Sequence, residues 1–373
     1  MANSQVSALT GCDQDNHDKE NDLKAFDNTK AGVKGLVDTG IQTIPKFFVA
    51  PAEETCSKIW DFSQPHLSVP VIDLKETDTD PARRKQVVEA IGLASNTWGF
   101  FQVVNHEIPQ STIYDVIQSI QRFHEQPNHV KEKFYSREKT KKVRFISNFD
   151  LYKARFANWR DTLFCHMAPN PPPPEEYPEA CREMLMKFSE SVKKLGENFF
   201  ELLSEALGLN SNRLTEMGCA DGHVFFCHYY PGCPEPDRTL GHTKHCDPDF
   251  LTILLQDQIG GLQVLHDETQ WIDIPPVEGA LVVNIGELLQ LISNDKFKAA
   301  EHRVLANCST SPRISVACFF TTHFDPSKTL FGPIKELSED SLPLYRETSV
   351  MDYIDSFNTV GLGGVSSLAR LRL

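Results

Sequence analysis

Residues His242–Asp257 read HTKHCDPDFLTILLQD, and two features of this stretch decide the fold and the chemistry together. Leu251–Leu255 is an apolar run of strand length, whereas a helix would need a longer repeat. Just before it, His245 and Asp247 stand two residues apart, so in extended backbone both side chains face one side. A histidine and a carboxylate aimed at one point are two of the three ligands that cap one face of a ferrous ion.

Working outward, the same short β-rich pattern recurs at His223–Tyr229, Leu262–Leu265, Gln270–Ile274, Ala280–Ile285, Arg303–Leu305 and Arg313–Phe320. Gly260-Gly261 reads as a hairpin turn between two of these segments. Closely spaced strands of this kind predict a sandwich or barrel. Upstream, the period is helical at Val87, Val88, Ile91 and Leu93, and again at Ile113, Val116, Ile117, Ile120 and Phe123. Strand composition appears at Val69–Leu74 and Gly99–Val104. A long helical stripe runs through Leu185, Phe188, Val192, Leu195, Phe199, Leu202 and Leu203, ending near Gly208. Leu23, Phe26, Val33, Leu36 and Val37 predict an amphipathic helix broken around Gly35, and Pro171–Pro174 reads as an extended loop between the two halves. The expected organisation is a disordered tail over 1–22, a helical and mixed region over 23–175, a catalytic core with its packing helix over 176–330, and a C-terminal helical segment over 331–373.

Bulk properties narrow the function. The 373 residues carry a formal net charge of -14, with 40% hydrophobic and 24% charged residues. Such a chain can bury a large core, and it lacks the basic stripe that a nucleic-acid surface requires. No signal peptide or membrane-length apolar run is visible, which makes cytoplasmic the expected location. The ten cysteines show no CxxC pair or regular spacing, as expected of reduced thiols.

His-x-Asp alone is weak, because about one such tripeptide is expected by chance in a chain of this composition. There is indeed a second, His323-Phe324-Asp325, with no histidine downstream to complete it. The copy at 245 is distinguished by order: His302 follows in another β segment, then Arg313 and Ser315 on one strand face. A guanidinium with a neighbouring hydroxyl can hold a carboxylate bidentately with one further hydrogen bond. Together these residues point to an Fe(II) oxygenase that consumes a 2-oxo acid. Phe226, His228 and Tyr230 form another shared face, and the Tyr230 hydroxyl could reach the same carboxylate. Phe226, His228, Phe319 and Phe145 are candidates to line a substrate pocket, with the segment Met351–Phe357 closing over it; aromatic linings suit flat, apolar small molecules.

WGFFQVVNHEIP (Trp98–Pro109), HYYPGCPEPD (His228–Asp237), HTKHCDPDFLTILLQD (His242–Asp257), LVVNIGELLQLISNDKFKAAEHRVL (Leu281–Leu305) and PRISVACFF (Pro312–Phe320) resemble the plant soluble 2-oxoglutarate/Fe(II)-dependent dioxygenases. Within that superfamily, KAGVKGLVDTGI (Lys30–Ile41) and NWRDTL (Asn158–Leu163) resemble the 1-aminocyclopropane-1-carboxylate oxidase homologue group. The resemblance implies a mainly β fold with flanking helices, a double-stranded β-helix (jelly-roll, cupin-like) core and a helical N-terminal region. It implies His245, Asp247 and His302 as iron ligands, with Arg313, Ser315 and Tyr230 binding 2-oxoglutarate. O2 would be the co-substrate and ascorbate the reductant. The implied reaction is hydroxylation or O-demethylation of a small specialised metabolite or hormone, with release of succinate and CO2, by a monomer without nucleic-acid or membrane partners. Departures from the family pattern are His228 for Asn, Cys246 for Ser or Thr, Glu107 for Gly and Glu287 for Asp. Alternatives are an ascorbate-dependent oxidase forming ethylene from 1-aminocyclopropane-1-carboxylate, a non-catalytic small-molecule-binding protein on the same fold, and a zinc hydrolase; the last leaves Arg313 and Ser315 unexplained.

Overall fold

Short strands with inward and outward faces assemble two facing sheets in the computed structural model, which describes residues 19–55, 67–322, 329–337, 342–361 and 366–373. The strands are β1 (Val71–Asp73), β2 (Phe100–Val104), β3 (Val143–Ile146), β4 (Asp161–Ala168), β5 (Gly222–Tyr230), β6 (Leu240–His245), β7 (Leu251–Gln256), β8 (Leu262–His266), β9 (Gln270–Asp273), β10 (Leu281–Ile285), β11 (His302–Leu305) and β12 (Arg313–Thr321). The larger sheet has eight strands in the order β1-β2-β10-β7-β12-β5-β4-β3, and the smaller has four in the order β6-β11-β8-β9. Apart from the parallel pair β1–β2, neighbouring strands run antiparallel. The architecture is the expected jelly-roll core with flanking helices.

Register assigns each side chain to a face. Phe164, Phe226, Ala317 and Leu254 are cross-strand neighbours on the inner face. Several of them join Leu262, Val264, Ile272 and Val304 of the smaller sheet in one apolar cluster. One residue over, Phe145, Leu163, Cys227, Val316 and Leu255 face outward into the main core. That face is covered by α1 (Pro81–Thr97), α2 (Gln110–His124) and α3 (Arg182–Ala206). Pro81 begins α1 and the Asp80 carboxylate accepts from the Ala82 amide at 2.8 Å, so the helix start is capped. The predicted α3 stripe is buried as a unit; side chains such as Leu185, Phe188, Val192 and Phe199 are fully enclosed, each stabilising by roughly 1.5–3 kcal/mol.

Several expectations change. Residues 19–22 are helical rather than part of a tail, and residues 1–18 lie outside the described residues. The N-terminal helix breaks at Lys30 and Gly32, both with positive φ, while Gly35 sits inside the helix Gly32–Asp38. Gly32 is required there: its amide neighbours Val33 and Lys34 both donate to the Asp161 carboxylate at 2.8 Å, and a Cβ on Gly32 would stand 2.3 Å from that carboxylate. Gly260-Gly261 is not a hairpin turn; β7 and β8 lie in different sheets, and the two glycines, at φ 86° and 92°, carry the crossover. The loop at Pro171–Pro174 does not separate two halves either, because β4 before it pairs directly with β5 after it. The eight described cysteines are free. No helix among the described residues is long and apolar enough to cross a membrane.

Candidate metal centre

β6 ends at His245 and β11 begins at His302, and the register sets these two residues directly opposite each other. Their rings lie 4.3 Å apart. Each ring is oriented from behind, since His245 Nδ1 donates to Thr243 O at 2.9 Å and His302 Nδ1 to Ala300 O at 3.2 Å. A carbonyl can only accept, so the proton sits on Nδ1 and Nε2 presents a lone pair. Burial, only partly opposed by the Asp247 charge, lowers the His302 pKa to about 4, which keeps the ring neutral at physiological pH.

Asp247 completes the group from the turn after β6. Its Oδ2 accepts from Thr252 Oγ1 at 2.6 Å and from Asn284 Nδ2 at 2.8 Å. Its Oδ1 is buried, has no hydrogen-bond partner, and lies 3.4 Å from His245 Nε2 and 3.5 Å from His302 Nε2. Burial raises the carboxyl pKa, but the positive charge that His302 and His245 acquire on protonation, with the Thr252 hydrogen bond, holds it below the usual carboxylate range, so Asp247 is ionised when both imidazoles are neutral. Two lone pairs and one anionic oxygen thus converge with no proton between them, and the three ligand atoms lie within 4.8 Å of one another. Such an arrangement is costly unless a cation sits at its centre. The donor set, two imidazoles and one carboxylate, fits a ferrous ion with an open face.

Arg313 lies deeper on the inner face of β12, 1% exposed. Its guanidinium donates to Gly260 O (2.6 Å), Gln256 Oε1 (3.0 Å) and Ser315 Oγ (3.3 Å), and stacks 4.8 Å above the Tyr230 ring. Those hydrogen-bond acceptors are all neutral, and the Asp257 carboxyl, which accepts from the Ile314 amide, acts on the guanidinium only through space, so its contact positions suit an anion. Tyr230 and His228 stand directly across from Arg313 and Ser315. His228 Nδ1 is 3.0 Å from Thr162 Oγ1, and burial followed by the Arg160 charge keeps its ring neutral.

Of the proposed pocket residues, Phe226 and Phe319 share the inner face, their rings 5.0 Å apart and only partly buried. Phe145 does not join them. It is one residue out of phase with Phe164 and packs in the outer core against Phe123, His124 and Tyr135. Its place in the aromatic group is taken by Phe164, 5.1 Å from Phe226. Met351–Phe357 belongs to α4 (Val350–Val360); there Tyr353 donates to Glu287 Oε2 at 2.6 Å, and Phe357 borders a cavity of about 320 Å³ together with His245, Cys246 and Glu287. Cys246 itself turns toward Ala299 O. His323-Phe324-Asp325 lies outside the described residues.

The sequence alone does not single out Thr252 and Asn284, which orient Asp247, or Arg160 and His242, which stand beside the candidate ligands with Arg160 Nη1 2.7 Å from His242 Nδ1. Asn284 and Arg160 lay inside NIGE and NWRDTL, but only the three-dimensional register shows what they touch.

Comparison with known proteins agrees with this geometry. Residues 222–322 match the 2OG-Fe(II) oxygenase superfamily, and residues 69–184 match the non-haem dioxygenase in morphine synthesis N-terminal family. The 1-aminocyclopropane-1-carboxylate oxidase homolog 1 of Arabidopsis thaliana is 53% identical over 370 residues, covering 99% of this chain and 98% of the relative. A homolog from Solanum lycopersicum is 49% identical, covering 96% and 98%. Among solved structures, JOX2 in complex with 2OG, Fe and JA superposes with a TM-score of 0.80 at 30% identity, covering 92% of this chain and 97% of that one. The rice dioxygenase for auxin oxidation shares the fold at a TM-score of 0.68 and 21% identity, covering 82% and 100%.

Proposed function

The chain belongs to the 2-oxoglutarate/Fe(II)-dependent oxygenase superfamily and, within it, to the 1-aminocyclopropane-1-carboxylate oxidase homologue group; from that premise we propose that it hydroxylates or O-demethylates a small specialised metabolite or hormone, releasing succinate and CO2. His245, Asp247 and His302 hold the iron, and Arg313 with Ser315 and Tyr230 receives the far carboxylate of 2-oxoglutarate. The observation that carries this reading is the buried, unpartnered Asp247 Oδ1 facing two bare Nε2 atoms. When bound, iron supplies the redox chemistry that couples loss of CO2 from the oxo acid to oxidation of a substrate C–H bond.

The chain's own residues orient and exclude. Thr252 and Asn284 fix which Asp247 oxygen faces the metal, and the carbonyls of Thr243 and Ala300 fix both imidazole tautomers. Arg313, held by three neutral acceptors, supplies a charge-assisted, bidentate site for a carboxylate. Phe164, Phe226 and Phe319 present a water-excluding surface for an apolar substrate. JOX2, whose solved complex holds 2OG, Fe and JA, supports a small organic molecule as the substrate; ascorbate, which the family resemblance implies, would keep the iron ferrous.

The test is succinate formation from 2-oxoglutarate with Fe(II), ascorbate and a panel of plant metabolites. Substrate-stimulated succinate is expected from the native protein and none from His245→Ala. Turnover that persists in the variant would remove the assignment.

A further inference from the structure

Beside the metal cluster, where β6 comes alongside the start of β4, lies a second buried cation with no role in holding iron. Arg160 is 3% exposed and its Nη1 stands 2.7 Å from His242 Nδ1. A guanidinium has no lone pair to offer, so Nδ1 must accept and the His242 proton must sit on Nε2. His242 is only partly buried, and its ring lies 4.1 Å from His245 and 5.7 Å from His228. The Nε2–H has no hydrogen-bond partner among the described residues. His242 therefore presents a donor of fixed tautomer next to an iron ligand, with a buried positive charge behind it.

That charge is poorly matched. Arg160 Nε is buried without a partner, and the side chain that its Nη1 meets, His242, carries no negative charge. Asp150 and Asp161 act on it through space, and both oxygens of Asp161 are already occupied by the Val33 and Lys34 amides. A buried cation lacking a contact anion is unfavourable in the free protein and favours an anionic ligand group. The oxo acid already has Arg313. The wall then continues from this corner: His242 to His228, His228 to Phe226 at 6.1 Å, and Phe226 to Phe164 and Phe319.

We propose that Arg160 and His242 form a carboxylate-recognition corner, so that the compound oxidised is a small carboxylic acid whose apolar body lies against Phe164, Phe226 and Phe319. This rests on the oxygenase reading above and names its substrate class. Arg160 supplies charge, His242 the directional N–H, and the ring wall the hydrophobic contact. Placed this way, the acid's carbon skeleton passes beside His245.

The test is equilibrium binding by calorimetry to the full-length protein loaded anaerobically with Fe(II) and 2-oxoglutarate, using arylalkanoic acids such as 3-phenylpropanoate, indole-3-acetate and cinnamate, each paired with its primary amide. At least one acid should bind about tenfold or more tightly than its amide, a difference of roughly 1.4 kcal/mol. Arg160→Gln and His242→Phe should each erase the preference, and Arg160→Lys should retain part of it. In all three variants the affinity for 2-oxoglutarate should stay within about twofold of the native value, which also reports that they are folded. Equal binding of every acid and its amide, no binding by any acid, or a loss of 2-oxoglutarate affinity matching the loss of acid affinity would overturn the proposal; the last would make Arg160 a positioning residue for Tyr230. Failure of the native protein to bind 2-oxoglutarate would instead remove the oxygenase reading itself.

Discussion

Thr252 Oγ1 lies 2.6 Å from Asp247 Oδ2 and 3.2 Å from Asp249 Oδ2, and the shorter contact decides what Asp247 can do. By occupying Oδ2 together with Asn284, it leaves Oδ1 as the atom facing both imidazoles. Thr252→Val keeps the shape and removes the bond, so metal affinity is expected to fall about 10–100-fold, measured by Fe(II) competition against a chromogenic chelator. Unchanged affinity would mean that Asp247 is oriented by the backbone alone. At this scale the candidate residues were legible because His245, Asp247, His302, Arg313 and Ser315 keep a distinctive order, and the structure brings the first three together. Phe145 carries no such signal: no strand is legible around it, and in β3 its side chain alternates to the outer face, away from Phe226. Arg160 and His242 are 82 residues apart in sequence, and neither carries a spacing signal that would pair them.

At the scale of elements, two sequence strings that had no evident connection prove to be one device. The Asp161 carboxylate of NWRDTL receives the Val33 and Lys34 amides of KAGVKGLVDTGI, docking the helix Gly32–Asp38 beside β4. Gly32→Ala forces a Cβ into that carboxylate at a positive-φ site, so a loss on the order of 1–3 kcal/mol is expected in chemical denaturation. A stability within a few tenths of the native value would show that this helix adds nothing to the fold. β4 escaped notice because DTLFCHMA is buried on almost every residue, which removes the alternation that marks a half-exposed strand. The crossover at Gly260-Gly261 read as a hairpin because local glycine chemistry specifies a bend and not which sheet the next strand joins.

Over the whole molecule, the large sheet is a partition: helices and apolar side chains cover its outer face, and the proposed binding groups stand on its inner face, on the facing strands, or, as Asp247 and Arg160 do, in the segments just after β6 and just before β4. The outer layer carries its own titration signature. Burial, then the neighbouring Lys131 charge, lowers the His124 pKa to about 3, whereas an unfolded histidine titrates near 6.5. The unfolded chain thus binds the extra proton first, so this contribution to stability is complete above pH 6.5 and is lost as pH falls toward 3. His124→Phe should flatten the slope of stability against pH across that window, and an identical slope in the variant would assign the acid sensitivity elsewhere. On the proposed function, one cluster holds Fe(II) and Arg313 receives 2-oxoglutarate beside it. Equilibrium dialysis with Fe(II), followed by anaerobic titration of 2-oxoglutarate, tests it most directly. One iron per chain is expected in the native protein, none above background in Asp247→Ala, and in Arg313→Met full iron with 2-oxoglutarate affinity lowered at least tenfold. Iron uptake undiminished in Asp247→Ala, or native 2-oxoglutarate affinity in Arg313→Met, would contradict it.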